Sequence, residues 1–476
     1  MGYFQKTERG SERVVATSSC HVDSDGFAFL ALSLRMPMSA DLLPEDVLRE
    51  IFTYSLPLPV PDESHLGPRA ILNLTHVCSR WRQIVLSMPH LWSTIRVSEP
   101  HSPDEVQFIH EWLSRAAGVP KTLFLGLQQG SSGDGLDSFR TIFVLYPFQK
   151  LSVFIDCYDF ESEDETLIVL PNQLLEHLEE LNIDQCGVTF PDDAKLPNLQ
   201  SLTLSRWSLG NFQHYSTAIP WSQIRRLTLS RASAPTHLLF SVLKQCLRLE
   251  YCKIERPNPR HFTPAPFGYI TLPNLQLFEL SIYNHPVLHA FGAGCMQRLI
   301  IPSVNILKVS SCNVDTSVYS QLIERSGGMP RLHTLTLCEP ADVGILLKLL
   351  PHLESITVSR DLGDGIWQDL STGKLGPRLK HITSPVCSVD ATLDFLKIRY
   401  HNATQQHDGS VCQPHITHFQ SATFLLSCGE SQFRDMMWDA LGSNGRGPYQ
   451  CLRWTFNGDL HESDRTYSTL DDIVED

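Results

Sequence analysis

No two cysteines in this 476-residue chain stand in a C-x-x-C pair, although thirteen are scattered from Cys20 to Cys451. An odd number of widely spaced single cysteines supplies neither a disulfide framework nor a zinc-ribbon spacing, and it reads as a reduced, cytoplasmic or nuclear chain. No apolar run reaches membrane-spanning length. The short run at 27–34 follows Asp23 and Asp25 where a signal peptide needs basic residues. Met1-Gly2 is followed by Lys6 where N-myristoylation needs Ser or Thr. Basic residues are in deficit, 38 Lys and Arg against 52 Asp and Glu, for a net charge of −14. That balance excludes broad binding to a phosphate backbone, so no nucleic-acid partner is expected.

Signatures of chemistry are missing as well. The Gly-rich stretch 126–135 lacks the Gly-Lys-Ser/Thr that gives a phosphate loop its cation, and Asp134 stands where a nucleophile elbow around Ser132 needs glycine. It reads as a flexible surface loop. His401, His407, Cys412, His415 and His418 follow no zinc-ligand spacing and read as a polar loop over 401–420. No catalytic residue, metal site or cofactor is predicted, and the chain is read as a non-enzyme.

What is present begins with a 42% apolar content, enough for folded structure over most of a length that exceeds one comfortable core. Residues 1–38 are polar and aperiodic apart from the run already named, and read as a loosely ordered leader; a start at Met36 or Met38 leaves everything after it intact. The final Asp471, Asp472, Glu475 and Asp476 read as a solvated tail.

Residues 39–97 carry the densest pattern. Leu43, Val47, Leu48, Ile51 and Phe52 recur at helical spacing, with Pro44 at a first helical position and Glu45 and Asp46 in the first turn, where negative charge suits a helix N-terminus. Ala70, Leu74, Val77, Cys78, Trp81, Ile84 and Val85 form a second stripe, read as one helix, and Met88, Pro89, Leu91 and Trp92 close the module. Read without any resemblance, the stripes also fit a helical hairpin in a larger core. Taken in order, Leu43-Pro44, Ile51-Phe52, Val77-Cys78, Trp81-Arg82 and Pro89-x-Leu91-Trp92 resemble the F-box in the form common in large fungal (basidiomycete-like) families. The linker from Ser55 to Arg69, with prolines 57, 59, 61 and 68, is longer than in a minimal F-box.

A second pattern returns after the module: apolar, two residues, apolar, one residue, apolar. It runs through Leu178-x-x-Leu181-x-Ile183, Leu199-x-x-Leu202-x-Leu204, Ile224-x-x-Leu227-x-Leu229, Leu249-x-x-Cys252-x-Ile254 and Leu275-x-x-Phe278-x-Leu280. Val304-x-x-Leu307-x-Val309, Leu332-x-x-Leu335-x-Leu337, Leu353-x-x-Ile356-x-Val358 and a weaker Leu379-x-x-Ile382 follow, and Phe148-x-x-Leu151-x-Val153 is an earlier copy. From Leu181 onward the middle positions lie 21 to 29 residues apart, largely within the leucine-rich-repeat interval of one strand and a returning helix. Proline falls two residues before the first apolar position at 197, 273, 302, 330, 351 and 377, read as stopping the helix and extending the chain into the strand. Cys186 and Cys312 extend two copies to the longer leucine-rich pattern, while Trp207 breaks it in another. Runs such as 236–247 and 341–350 read as the returning helices.

The expected fold is therefore α+β: a small all-α F-box module, then an irregular α/β leucine-rich-repeat solenoid over 98–400 with its N-terminal cap. The loop at 401–420 follows, and then a C-terminal repeat or cap with the tail over 421–476. The F-box resemblance implies docking onto the Skp-type adaptor of a cullin-RING ubiquitin ligase through Leu43, Pro44, Val47, Ile51, Phe52, Val77, Cys78, Trp81, Leu91 and Trp92. Trp81 and Trp92 are the residues of this set most suited to an internal role. The repeats would bind a substrate protein through the strand positions between the buried ones: Asn182, Thr203, Thr228, Lys253, Glu279, Lys308, Thr336, Thr357 and Thr383. The alternative is a leucine-rich-repeat scaffold acting outside ubiquitin transfer, separable by whether it holds an adaptor.

Overall fold

The structure is a computed structural model. It describes residues 43–55, 66–98, 103–128, 134–156, 167–184, 187–191, 193–206, 218–231, 236–257, 268–282, 286–310, 314–337, 342–386, 394–395, 398–399, 421–426, 452–456 and 468–469. The chain divides into two compact units, Met1–Met88 and Pro89–Asp476.

In the first unit, α1 spans Glu45–Ser55, α2 Leu66–Val77 and α3 Ser79–Leu86. Helix α1 starts on Pro44, whose carbonyl accepts the Leu48 N–H at 3.1 Å. Arg49 ties its first turn to the end of α3, donating to Glu45 Oε1 and Ser87 Oγ, each at 2.7 Å. The second stripe is two helices where the sequence suggested one. Cys78 is extended (φ −156°, ψ 170°), and its Sγ accepts the Trp81 N–H at 3.4 Å as the cap of α3. Arg82 Nε donates to the Thr75 carbonyl at 2.9 Å, taking up an acceptor that the interrupted helix leaves open. Leu48, Phe52, Ile71, Leu74, Ile84, Val85 and Met88 fill the interior, with Trp81 set edge-on against Phe52 at 4.8 Å.

The second unit opens with a 3₁₀ turn, Pro89–Trp92, and strand β1, Thr94–Ser98. Then follow α4 (Pro103–Ser114), β2 (Lys121–Gln128), α5 (Asp134–Leu145), β3 (Phe148–Asp156), β4 (Leu167–Val169), α6 (Asn172–Leu175), β5 (Glu180–Asp184), β6 (Gly187–Thr189), β7 (Ser201–Ser205) and β8 (Arg226–Ser230). Next come α7 (Thr236–Gln245), β9 (Tyr251–Glu255), β10 (Ile270–Thr271), β11 (Leu277–Ser281), α8 (Pro286–Met296), β12 (Leu299–Ile300), β13 (Ile306–Ser310), α9 (Thr316–Arg325) and β14 (Thr334–Leu337). The series ends with α10 (Val343–Leu349), β15 (Ser355–Val358), α11 (Asp364–Ser371), β16 (His381–Val386), β17 (Ser421–Leu426), β18 (Leu452–Phe456) and β19 (Ser468–Thr469). Fifteen strands make one sheet that follows chain order, while β4–β6 and β10–β12 pair separately. Every pairing in the sheet is parallel except β18 with β19.

The apolar pattern explains this order. In β5, β7, β9, β11 and β13 burial alternates along the strand, the two apolar positions inside and their neighbours half-exposed. From Leu178 onward the first apolar position of each copy is buried too, just before the strand. Helices between strands bury one stripe each, as Leu239, Phe240, Val242 and Leu243 do in α7.

The phased proline has a different role from the one expected. At 197, 273, 302, 330, 351 and 377 it is the second residue of a four-residue turn. That turn closes from the first buried residue of the strand entry back to the residue before proline, as in Leu332 N–H to Met329 O at 3.0 Å. Proline fits there because its φ is already that of the position. The next link is a ladder across the strand entries, Gln149, Glu179, Gln200, Arg225, Glu250, Gln276, Asn305, His333, Glu354 and Lys380. Each N–H donates to the carbonyl of the preceding member at 2.7 to 3.0 Å. At the exits of β7, β8 and β9, Arg206, Arg231 and Arg256 adopt φ of 51°, 51° and 49°, and each N–H donates to the last carbonyl of the following strand.

The start of the second unit departs from the sequence reading. The region around 111–127 reads as a cover for the first repeat, and 89–97 as part of the helical module. Instead β1 and β2 are full members of the sheet, and the boundary between units falls at Met88. The glycine-rich loop is also shorter than expected: Gly126 lies in β2 and Gly135 in α5, with 129–133 outside the described residues. A Cβ at Gly126 would stand 2.8 Å from the Phe154 ring, so close packing accounts for that glycine.

Candidate protein-binding surfaces

Helix α1 carries two apolar stripes. Leu48 and Phe52 are completely buried, as an amphipathic helix requires. Val47, Ile51 and Tyr54, at i, i+4 and i+7, make a second stripe that is 39%, 44% and 82% exposed. Packing within the unit explains the first stripe and leaves the second open. Tyr54 was not among the expected contacts, although its spacing from Val47 and Ile51 was the available signal. Val77, at the end of α2, is 58% exposed.

The other expected adaptor residues divide by burial. Pro44 is exposed; Leu43 is half-buried, its carbonyl accepting from Arg80 Nη2 at 2.6 Å. Cys78 and Trp81 are half-buried, occupied as helix cap and as partner of Phe52. Phe52, Leu91 and Trp92 are a correction, for all three lie inside. Trp92 belongs to the second unit, where its ring meets Trp112 edge-on at 4.7 Å and the Arg115 guanidinium stacks over it. Their area is spent within the chain and offers no face to a partner.

On the sheet, parallel register brings all nine expected face residues into one row. Asn182 pairs with Thr203, and the row continues through Thr228, Lys253, Glu279, Lys308, Thr336, Thr357 and Thr383. Each is half-exposed. Lys253 Nζ lies 3.3 Å from Glu255 and 3.4 Å from Glu279. Burial pulls its ammonium down, but the two carboxylates outweigh this and raise it above the usual lysine range. Asn182 Nδ2 donates to Ser152 Oγ at 3.1 Å, while its Oδ1 is buried with no hydrogen-bond partner among the described residues.

Two buried thiols, Cys246 and Cys252, are poorly suited to chemistry. Burial pushes Cys246 up to about 12 and raises Cys252 as well. Among the described residues no group of His, Cys, Asp and Glu is arranged to hold a metal, and no helix is long and apolar enough to cross a membrane. Cys186, Trp207, Cys312 and the histidines at 401–418 lie outside the described residues.

Residues 40–98 match the F-box-like family, and the chain therefore carries an F-box-like domain. Domains of this family generally bind the Skp-type adaptor of cullin-RING ligases. A search of curated proteins finds no significant match to this chain.

Proposed function

We propose that this chain is the non-catalytic substrate-recognition subunit of a Skp-cullin-F-box type ubiquitin ligase. The second apolar stripe of α1 carries the proposal. It sits within the F-box-like match, and its apolar area gains nothing while it faces water. Val47, Ile51, Tyr54 and Pro44 are assigned to the adaptor, with Leu43 and Val77 at the margin. The sheet is assigned as the strand face of a leucine-rich-repeat solenoid, and the row from Asn182 to Thr383 as its substrate-selecting surface. Threonines with isolated charges of both signs suit a protein partner. In this role the chain contributes proximity and orientation of a substrate lysine, and the transfer chemistry belongs to other subunits. Cytosol and nucleus, where such ligases work, are the assigned compartments.

The test is co-purification. Val47→Ala with Ile51→Ala removes apolar area worth about 1.5–3 kcal/mol per fully buried large side chain. Adaptor affinity should fall at least tenfold, since about 1.4 kcal/mol is one decade, with unchanged circular dichroism. Full adaptor retention by this variant would sink the docking assignment. Absence of adaptor from the wild-type complex would favour a scaffold outside ubiquitin transfer.

A further inference from the structure

Where the strand entries of the sheet meet their turns, a cavity of about 290 Å³ opens over the stretch from β8 to β14. Two rows of side chains line it. From the strand-entry ladder come Arg225, Glu250 and Gln276; the third turn position contributes Arg248, Asn274, Ser303 and Arg331.

That third turn position usually has work inside the fold. Asn198 donates to Glu176 O at 2.9 Å, Gln223 to Leu196 O at 2.6 Å and Asn274 to Leu247 O at 3.0 Å, each tying its turn to the preceding one. His352 meets Met329 O at 2.9 Å in the same way. Arg248 and Arg331 hold equivalent places, are exposed, and make no hydrogen bond or ion pair among the described residues. Arg225 reaches Glu250 only at 3.6 Å, with both side chains about half in solvent. Three guanidiniums thus share one cavity with a single carboxylate, on a chain whose net charge is −14.

Arg248 and Arg331 have no internal partner to offset their charge, and an entering anion supplies one. The remaining lining groups include two amides and a hydroxyl, which add donors. Two unpaired guanidiniums match a dianion better than a single carboxylate, and their planar forks take phosphate oxygens in pairs. The cavity is also several times the roughly 30 Å³ share of one water, room for a phosphoryl group carried on a larger body. We propose that this cavity binds a phosphate monoester, its oxygens held by Arg248, Arg331 and Arg225. The group can come from a phosphorylated protein side chain or from a free small phosphate ester. The site lies at the strand entries, apart from the mid-strand face row, and needs no adaptor.

Calorimetric titration of the full chain at low salt tests this with two probes, a short phosphoserine peptide and ribose 5-phosphate. The unphosphorylated peptide is the control. Binding by the peptide alone identifies a protein source; binding by the sugar phosphate alone identifies a metabolite; either supports the site. Arg248→Gln with Arg331→Gln should weaken binding about tenfold or more without moving the melting temperature, because neither side chain is bonded within the fold. Glu250→Gln should tighten binding about threefold by removing the competing charge, an effect that a merely structural role would not produce. Affinity should also fall as pH drops through about 6, where the ester takes up its second proton. Failure of both probes to bind at millimolar concentration, or equal binding by the double arginine variant, would overturn the proposal.

Discussion

Arg399 shows how much one side chain can carry. It is 1% exposed, and its guanidinium donates to the carbonyls of Leu370, Gly376, Pro377 and Leu379 at 2.7 to 3.4 Å. Burial lowers it to about 10, which still leaves it charged at neutral pH. It gathers carbonyls at the end of α11 and in the turn before β16, adding a second donor to those of Leu370 and Gly376, which also accept backbone N–H groups, and only a planar fork reaches several acceptors at once. Arg399→Met should cost about 2–4 kcal/mol, since hydrogen bonds to a charged group are worth about 1.5–3 kcal/mol. Arg399→Lys should recover only part. Denaturant midpoints of the three proteins check both statements. Nothing in the sequence marks this residue: it lies in a weakly periodic stretch, and its acceptors are main-chain atoms 20 to 29 positions away.

At the scale of one element, α1 places opposite fates on adjacent residues. Phe52→Ala empties a fully buried site beside Trp81 and should destabilise the first unit by about 3–5 kcal/mol. Ile51→Ala should stay within about 0.5 kcal/mol in stability while weakening adaptor binding. Thermal melts and adaptor pull-downs on the same two variants separate the roles. Periodicity located both residues but did not tell them apart, because a helical stripe shows that a face is apolar and not what covers it. The same limit merged α2 with α3, since apolar residues keep a compatible spacing across Cys78. Strands were easier to read. Once Leu181, Leu202 and Leu227 were aligned, parallel register followed and so did the face row. β1 and β2 were missed for a specific reason. Ile95 and Val97 follow directly on Leu91-Trp92 and read as part of the helical module, and the alternation of Leu123 and Leu125 lacks the lead-in apolar residue of later copies.

For the whole molecule, the family match and the folded units end at different places. The F-box-like match runs to residue 98, whereas the second unit begins at Pro89. A chain starting at residue 89 should keep its sheet. One starting at residue 99 loses β1 and Trp92 and uncovers the edge of β2, and it should lose at least the 3–5 kcal/mol of a buried tryptophan. Comparing their denaturant midpoints and soluble yields checks where the boundary lies. The sheet has a further property that follows from its strand order. Because neighbours in space are successive in the chain, each strand leaving the ribosome finds its one earlier partner already made. No part of the sheet has to wait, exposed, for a segment synthesised much later, so its length can grow without lengthening the time any edge stands bare.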